Sequence, residues 1–266
     1  MSKFRTIEMS NPAFERDHLR FITVKTAYLK GRADICVFVP PGTSQMKDLP
    51  VTLLLHGVYG SAWSWPFCSG VHLLAAKMIE NAQLKPMILA MPSDGLWGDG
   101  SAYLPHHTLN YEKWIAEDVP QALTECFPQV SEASAFFIAG LSMGGFGALR
   151  IGAKYHQRFK GMSGLSSITN LDQMKLFTEE EYAEYAQHDP VDESVLRTIL
   201  ANRDHLPPFR FDCGTDDLLI EHNRLLHQEL RRQCISHRFQ EFEGGHQWAY
   251  WEKHIAATLL FFNAIL

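Results

Sequence analysis

The 266-residue sequence lacks the features that mark membrane proteins and nucleic-acid-binding proteins. No run of 18 apolar residues occurs, and residues 1–21 contain no apolar core of the kind that a secretory signal peptide needs. Lys and Arg number 24 against 30 Asp and Glu, so the net charge of −6 provides no broad basic surface for nucleic acid or anionic lipid. We therefore expect a small-molecule ligand, and neither nucleic acid nor a membrane as a partner.

Cysteine is scarce, and the five cysteines are scattered at positions 36, 68, 126, 213 and 234. Their number is odd and none form a C-x-x-C pair, which argues against a disulfide framework and a structural zinc site. A reducing cytoplasm is the simplest setting. Because repeats, low-complexity tracts and Pro/Ser-rich linkers are also absent, we predict one domain over residues 1–266. The oligomeric state stays open, and a homo-oligomer is compatible with the sequence.

Short apolar runs alternate with longer amphipathic ones, which predicts an α/β fold. The runs "HLRFITVKTAYL" and "ADICVFVP" predict an opening antiparallel hairpin. Strands are then predicted at "PVTLLLHG", "PMILAMP", "SAFFIAGLS", "GMSGLSS", "FRFDCG" and "HRFQEFEGG". Helices are predicted at about 71–81, 111–126, 144–155, 218–234 and 248–266. This alternation is typical of a mostly parallel central sheet with helices on both faces.

Residues 169–206 fit the alternation poorly, because they are rich in charge and fall between two predicted strands. We interpret them as a small helical insertion over one end of the sheet. Two roles remain open for it, an ordinary solvated connection and a cap that shapes a substrate pocket.

The segment "FFIAGLSMGGFGALR" places Ser142 among glycines where a predicted strand gives way to a predicted helix. Gly140, Ser142 and Gly144 form a G-x-S-x-G pattern. In this context the serine lies on a sharp, strained turn, and small residues two positions before and after it let the crossing backbones pass. The pattern indicates a serine nucleophile, although a glycine-rich turn with a solvent-facing serine is the alternative.

A serine hydroxyl needs a histidine base, and the base needs an acid that fixes its tautomer. In this fold the acid and the histidine should follow the serine along the chain, each just past a later strand. The segment "DCGTDDLL" offers Asp217, with Asp216 as the second choice, and one of the two is also expected to cap the next helix. The segment "GGHQW" offers His246 before the last helix.

Two backbone amides are predicted to stabilise the oxyanion of an acyl-transfer reaction. One belongs to Met143, the residue after the nucleophile, and the other to Val58, which follows the strand ending at His56 and Gly57. The amide of Tyr59 is a further candidate for the second position. A plain glycine turn is the alternative interpretation of "HGVYG".

Aromatic residues in the loops near the predicted catalytic end are candidates for substrate contact, although each taken singly is as well explained by core packing. These candidates are Tyr59, Trp63, Trp97 and Phe146. Asp94 and Asp99 suit turn positions as well as contacts to a polar alcohol.

The histidines at 222 and 227 lie five residues apart, a spacing that does not form a helical metal pair, and we predict neither a metal site nor a cofactor.

Five segments together resemble the putative-esterase family of α/β-hydrolases, which includes esterase D, tributyrin esterases and feruloyl esterases. The segments are "LLLHGVYGSAWSW", "MPSDGLWGDGSAYLP", "AGLSMGGFGALR", "CGTDDLL" and "GGHQWAYW". The resemblance implies an α/β-hydrolase fold, with Ser142 as nucleophile, Asp217 as acid and His246 as base. Phe146 stands where S-formylglutathione hydrolases of the family typically have histidine, so the chain is more similar to the tributyrin and feruloyl branch.

The expected function is a serine carboxylesterase that hydrolyses short-chain acyl or aromatic esters, such as acetyl and feruloyl esters, through an acyl-enzyme. A thioesterase of the S-formylglutathione hydrolase type and an acyltransferase would use the same three side chains. A non-catalytic binding module on a hydrolase scaffold is a further alternative, which an intact triad disfavours.

Overall fold

The structure, a computed structural model, describes residues 2–266. Within this range the strands, in chain order, are β1 (Ile7–Met9), β2 (Leu19–Thr26), β3 (Gly31–Phe38), β4 (Val51–Leu55), β5 (Ile88–Pro92), β6 (Pro105–His106), β7 (Leu109–Asn110), β8 (Phe136–Leu141), β9 (Phe159–Leu165), β10 (Phe209–Gly214) and β11 (Arg238–Phe242).

The α-helices of the same range are α1 (Ser64–Ser69), α2 (Val71–Glu80), α3 (Tyr111–Lys113), α4 (Val119–Cys126), α5 (Met143–Lys154), α6 (Tyr182–Tyr185), α7 (Val195–Ala201), α8 (Ile220–Arg232) and α9 (Trp248–Asn263). Short 3₁₀ segments occur at Pro12–Phe14, Leu171–Leu176, Pro190–Glu193 and Arg203–His205, and a π-helical turn occurs at Trp114–Asp118.

One nine-stranded sheet runs through the described residues in the order β1-β2-β3-β5-β4-β8-β9-β10-β11. Six neighbouring strands of this sheet, β5, β4, β8, β9, β10 and β11, pair in parallel, whereas β1, β2 and β3 pair in antiparallel fashion and β3 joins them to β5. Two apolar clusters pack on opposite faces of the sheet, and the central strands β4, β5 and β8 are buried along their whole length. The predicted α/β fold, with a mostly parallel sheet covered on both faces, is confirmed.

The predicted opening hairpin is confirmed by β2 and β3, which pair from Leu19 with Phe38 to Thr26 with Gly31. The helix predicted over 111–126 is interrupted, because its middle turn widens into the π-helical segment Trp114–Asp118. The Trp114 indole donates a hydrogen bond to the Ser93 carbonyl at the end of β5, 2.8 Å away, which attaches this segment to the sheet.

The region predicted as an insertion, residues 169–206, consists of three 3₁₀ segments and the short helices α6 and α7. It leaves the sheet after β9 and returns to β10, so it begins at the carboxyl edge where ligands of parallel sheets bind. A cluster of charges fastens it to the body of the domain, since Arg150 and Lys154 of α5 both contact Asp192 and Glu112. Across residues 2–266, no helix is both long and apolar enough to cross a membrane.

Candidate active site

Ser142 lies on a sharp turn between the end of β8 and the start of α5. Its backbone has φ 53° and ψ −119°, a region that residues with a Cβ rarely occupy. The turn is fastened on both sides, because the Ser142 amide donates to the Leu165 carbonyl and its carbonyl accepts from the Phe146 and Ile168 amides. The side chain at this turn is therefore presented at the carboxyl edge of the sheet from a fixed backbone.

The glycines that flank Ser142 are required by close backbone approach. A Cβ on Gly140 would lie 2.2 Å from the Gly144 carbonyl oxygen, and a Cβ on Gly144 would lie 2.4 Å from the Leu55 carbonyl oxygen. Both distances are far below van der Waals contact, so any larger residue would push the turn away from β4. The G-x-S-x-G pattern is thus explained by sterics.

The loops that carry Asp217 and His246 are joined to each other beyond β10 and β11. The Thr215 amide donates to the Phe242 carbonyl, and the Asp216 amide donates to the Gly244 carbonyl. A Cβ on Gly214 would lie only 2.1 Å from that same Gly244 oxygen. The two loops consequently form one rigid edge.

The structure brings Ser142, Asp217 and His246 together, although they come from three separate loops. His246 Nε2 lies 3.0 Å from Ser142 Oγ, and His246 Nδ1 lies 3.1 and 3.0 Å from the two carboxylate oxygens of Asp217. Ser142 and Asp217 are almost fully buried, whereas the side chain of His246 keeps 14% of its surface exposed. The arrangement allows His246 to take a proton from Ser142 while Asp217 holds the opposite ring nitrogen.

The structure distinguishes the two candidate acids. Asp217 is buried and faces His246, while Asp216 is exposed and its side chain takes no part in this set of hydrogen bonds. Asp217 also accepts a hydrogen bond from the Leu219 amide, 2.8 Å away, which closes the turn before α8. The prediction that one of the two aspartates caps the next helix is wrong, because the N-cap residue of α8 is Leu219 and no side chain caps it.

Val58 and Met143 both lie next to Ser142. A Cβ on Gly57 would lie 3.4 Å from the Cβ of Ser142, which places the loop carrying Val58 against the nucleophile turn. Among residues 2–266, neither the Val58 amide nor the Met143 amide donates a hydrogen bond to another protein group. Met143 is also the first residue of α5, where the helix dipole concentrates partial positive charge.

The buried side chain of His56 orients the loop that carries Val58. Its Nε2 accepts a hydrogen bond from the Asp94 amide at 3.0 Å, so the network assigns the ring proton to Nδ1, which donates to the Gly57 carbonyl at 2.7 Å. In a trans peptide the carbonyl and the following N–H point in opposite directions. The Val58 N–H therefore points away from His56.

The suggestion that the Tyr59 amide is an oxyanion donor is wrong for this structure. That amide donates to the Asp99 carbonyl at 2.7 Å and has no free N–H to offer. Tyr59 was also predicted to contact substrate. Its side chain is 66% exposed, and its hydroxyl donates to the carbonyl of Phe177.

The other aromatic candidates for substrate contact lie in different environments. Phe146 has no exposed surface and packs in the core beneath the Arg150 guanidinium, so its prediction as a pocket residue is corrected. Trp97 stacks on His107 and meets the rings of His106 and Tyr185 edge-on. Trp63 is half exposed, just before α1.

The two aspartates of the segment "PSDGLWGDG" have structural roles. Asp94 is buried and closes its own loop, because its carboxylate accepts from the amides of Leu96 and Ser101. Asp99 accepts a hydrogen bond from the Glu179 amide of the insertion at 2.9 Å. The turn interpretation matches the Asp94 bonds, whereas Asp99 joins its loop to the insertion.

Two aromatic residues that the sequence did not single out touch the His246 ring. Phe177 stacks on the imidazole with ring centroids 5.0 Å apart and an interplanar angle of 27°, and Trp251 meets it edge-on at 5.1 Å. Trp251 follows His246 by five residues in "GGHQWAYW", so proximity in sequence could have suggested it. Nothing in the sequence marks Phe177, which comes from the insertion.

A buried ion pair in β10 supports the turn that precedes His246. Arg210 and Asp212 of β10 are both buried and lie 2.7 Å apart, and the Tyr250 hydroxyl of α9 donates to Asp212 at 2.8 Å. Burial raises the pKa of the Asp212 carboxyl, while Arg210 and Tyr250 act in the opposite direction. Since the Tyr250 ring lies against Gly244, this network connects β10 to the turn that precedes His246.

The sequence profile of the family described as "Putative esterase" matches residues 26–262. The chain is also similar to an acetyl esterase of Caldicellulosiruptor saccharolyticus. The two are 28% identical over 228 residues, which cover 79% of this chain and 82% of that protein.

Solved structures of esterases share the fold over nearly the whole chain. A ferulic acid esterase superposes with a TM-score of 0.78 and 22% identity, covering 98% of this chain and 100% of the other. An S-formylglutathione hydrolase from Agrobacterium tumefaciens also gives a TM-score of 0.78, with 16% identity and complete coverage of both chains. At sequence identities of 22% and 16%, the similarity to these structures shows a shared fold.

Proposed function

Given that the chain belongs to the "Putative esterase" family and is a carboxylester hydrolase, we propose that Ser142, His246 and Asp217 form its catalytic triad. The observation that carries the proposal is the position of His246, which contacts Ser142 through Nε2 and Asp217 through Nδ1 at once. Bonds at both nitrogens fix the tautomer that a general base requires.

Acylation begins when Ser142 Oγ attacks the ester carbonyl while His246 Nε2 accepts its proton. Asp217 stabilises the imidazolium through Nδ1–H, and a tetrahedral intermediate forms with a negative carbonyl oxygen. Collapse of the intermediate breaks the bond to the alkoxy oxygen, which leaves as the alcohol with the proton from His246. Water then attacks the acyl-serine with His246 again as base, so that the acid is released and Ser142 regains its proton.

The negative oxygen of the tetrahedral intermediate is stabilised by the amides of Val58 and Met143. Neither amide has another protein acceptor within the described part of the chain, and the first turn of α5 adds its partial positive charge. One such donor contributes about 2.7–4 kcal/mol to transition-state stabilisation. The His56 hydrogen bond to Gly57 supports this role, because it sets the direction of the Val58 N–H before substrate arrives.

The proposed substrates are esters of short acyl groups or of aromatic acids. The acetyl esterase relative supports a small acyl group, and the ferulic acid esterase that shares the fold supports an aromatic one. A panel of p-nitrophenyl acetate, butyrate and octanoate, methyl ferulate, an acetylated sugar and an S-formyl thioester separates these classes. A thioester turned over far faster than every oxygen ester would contradict the carboxylesterase assignment, and ester formation from an added alcohol would point to acyl transfer.

A small-molecule ligand and a cytoplasmic setting complete the proposal. The five cysteines are unpaired, and unpaired thiols persist most readily in a reducing compartment. The net charge of −6 does not favour nucleic acid as a partner. Fractionation of the native host cell, with activity measured in each fraction, tests the location.

Replacement of the nucleophile tests the proposed function directly. Ser142→Ala should abolish hydrolysis of p-nitrophenyl acetate and labelling by a fluorophosphonate. Its far-UV circular dichroism spectrum should equal that of the wild type, which shows that the fold is kept. Ser131→Ala is the matched control, because this serine lies in a loop before β8 and contacts Asp48. Ser142→Ala turnover at the wild-type rate, or failure of the wild-type protein to react with the probe, would refute the triad and favour a non-catalytic scaffold.

A further inference from the structure

The insertion supplies an aromatic ring to the face of the catalytic histidine. Phe177 follows the 3₁₀ segment Leu171–Leu176, and its ring stacks on the His246 imidazole with centroids 5.0 Å apart and planes at 27°. Trp251 meets the same imidazole edge-on, at 5.1 Å and 88°. The imidazole is thus held by a ring on its face, a second ring at an angle, and hydrogen bonds at both nitrogens.

The backbone of Phe177 is fastened to the loop that carries the proposed oxyanion donor. The Tyr59 hydroxyl donates to the Phe177 carbonyl, and Tyr59 directly follows Val58. Tyr59 also has φ 59°, a left-handed conformation that costs a residue with a Cβ about 1–2 kcal/mol. Such strain persists only where the surroundings impose it. Here the Tyr59 amide is bonded to the Asp99 carbonyl and the hydroxyl to the Phe177 carbonyl, so both ends of the residue are held.

Asp99 provides a further link between the insertion and the loop that carries Tyr59. The Asp99 side chain accepts from the Glu179 amide at 2.9 Å, and the Asp99 amide donates to the Glu180 carboxylate at 2.9 Å. Residues 176–180, which we call the strap, therefore contact both Asp99 and Tyr59, and these two are joined by a backbone bond. These contacts leave the strap little freedom relative to the loop that carries Val58 and Tyr59.

We propose that Phe177 is a positioning residue that sets the ring plane of His246, and that Tyr59 holds Phe177 in place. The inference rests on the proposed triad. Rotation about the Cβ–Cγ bond of histidine is soft, so hydrogen bonds at the two nitrogens do not by themselves prevent the ring from tilting. Contact with Phe177 limits that tilt and keeps Nε2 directed at Ser142. Since the substrate carbonyl is bound by other groups, loss of the ring should reduce kcat and leave KM nearly unchanged.

Four single variants and the double variant of Tyr59→Phe with Phe177→Leu, measured with p-nitrophenyl acetate, test the proposal. Phe177→Leu removes the flat ring and should lower kcat about tenfold, with KM within about twofold, because small misplacements of reacting groups cost large factors in rate. Phe177→Tyr keeps the ring and should retain kcat within about threefold. Tyr59→Phe removes only the hydroxyl bond to the strap, and its effect on kcat should be smaller in the Phe177→Leu background than alone. Tyr182→Phe is the control, because this exposed tyrosine of the same insertion donates to Glu193.

Three results would overturn the proposal. The first is a Phe177→Leu protein that keeps kcat within twofold of wild type. The second is a rise in KM with kcat unchanged, which would show that Phe177 contacts substrate instead. The third is equal loss in Phe177→Leu and Phe177→Tyr, which would show that the ring face is irrelevant. Ser142→Ala separates this inference from the proposed function. If Ser142→Ala is inactive and Phe177→Leu is normal, only the role of Phe177 fails.

Discussion

Asp217 faces the Nδ1 side of His246 with both carboxylate oxygens, at 3.1 and 3.0 Å, while the adjacent Asp216 is exposed to solvent. Adjacent aspartates thus have opposite environments, because the turn after β10 directs one carboxylate inward and the other outward. Only the inward one can fix the histidine tautomer.

Asp217→Asn should lower kcat for p-nitrophenyl acetate about 10³–10⁴-fold, because an amide that donates to Nδ1 would stabilise the wrong tautomer. The amide oxygen can still accept from the Leu219 amide, so the variant should fold. Asp216→Asn, the matched control, should stay within about twofold of wild type, as surface changes usually do. Steady-state kinetics of the two purified variants decide the matter, and a larger loss in Asp216→Asn would contradict the assignment.

Gly144→Ala should destabilise the domain by about 1–3 kcal/mol, the usual range for overpacking. The new Cβ would meet the backbone carbonyls of Leu55 and His56 at 2.4 and 2.5 Å, and backbone atoms of a central strand cannot easily move. Gly31→Ala is the control, because its Cβ would meet only the Leu29 carbonyl oxygen, at 3.4 Å. Urea unfolding of both variants gives the comparison, and equal stabilities would show that the close approach around Ser142 is not required.

Sequence reasoning located the nucleophile turn and the triad candidates because their constraints are local. A glycine two residues before and after Ser142 follows from the crossing of adjacent backbones, and Asp217 and His246 each lie directly after a strand that the apolar pattern marks. Phe177 could not be found in this way. It lies in an insertion without clear periodicity, and its contact with His246 depends on how that insertion folds back over the sheet edge.

Tyr59 and Phe146 show a second limit of the sequence. Whether a backbone amide points at substrate depends on the dihedral angles of its loop, and the loop after β4 directs the Tyr59 amide to the Asp99 carbonyl. Phe146 follows the nucleophile by four residues, one helical turn along α5, but that helix directs it into the core. Both corrections concern the direction in which a backbone amide or a side chain points. Composition and spacing do not determine that direction.

Tyr250→Phe should destabilise the domain by about 1–3 kcal/mol, because it leaves one oxygen of the buried Asp212 carboxylate without its donor. We also expect a fall in kcat, because the hydroxyl bond to Asp212 fixes the ring that packs against Gly244 in the turn before His246. Tyr155→Phe is the matched control, because its partner Glu112 keeps its contacts with Arg150 and Lys154. Denaturant unfolding and kinetics on the same samples check both effects, and equal stability of Tyr250→Phe and wild type would argue against a role for the network.

Stability should fall as the pH drops below about 6.5, the ordinary pKa of histidine. Burial is the principal cause that lowers the pKa of five histidines, which are His72, His106, His227, His237 and His254. A lowered pKa means that the folded state favours the neutral ring. The unfolded chain therefore binds protons first, so the stability present above pH 6.5 is lost as the pH falls towards the lowered values. Urea midpoints measured between pH 7.5 and 5.5 should show this decline, and a flat profile would contradict it.

The pair His227 and His237 offers a test of one contribution to that decline. His237 Nδ1 donates to the Ile235 carbonyl, so the network assigns its Nε2 as acceptor of the hydrogen bond from His227 Nδ1 at 2.8 Å. Arg231 disfavours protonation of either ring, while Glu241 acts in the opposite direction on His227. His227→Gln keeps a donor but cannot titrate, so the variant should lose less stability than wild type between pH 7.5 and 5.5. Identical losses in the two proteins would show that His227 does not contribute to the decline, because the variant lacks its titrating ring but keeps a donor to His237.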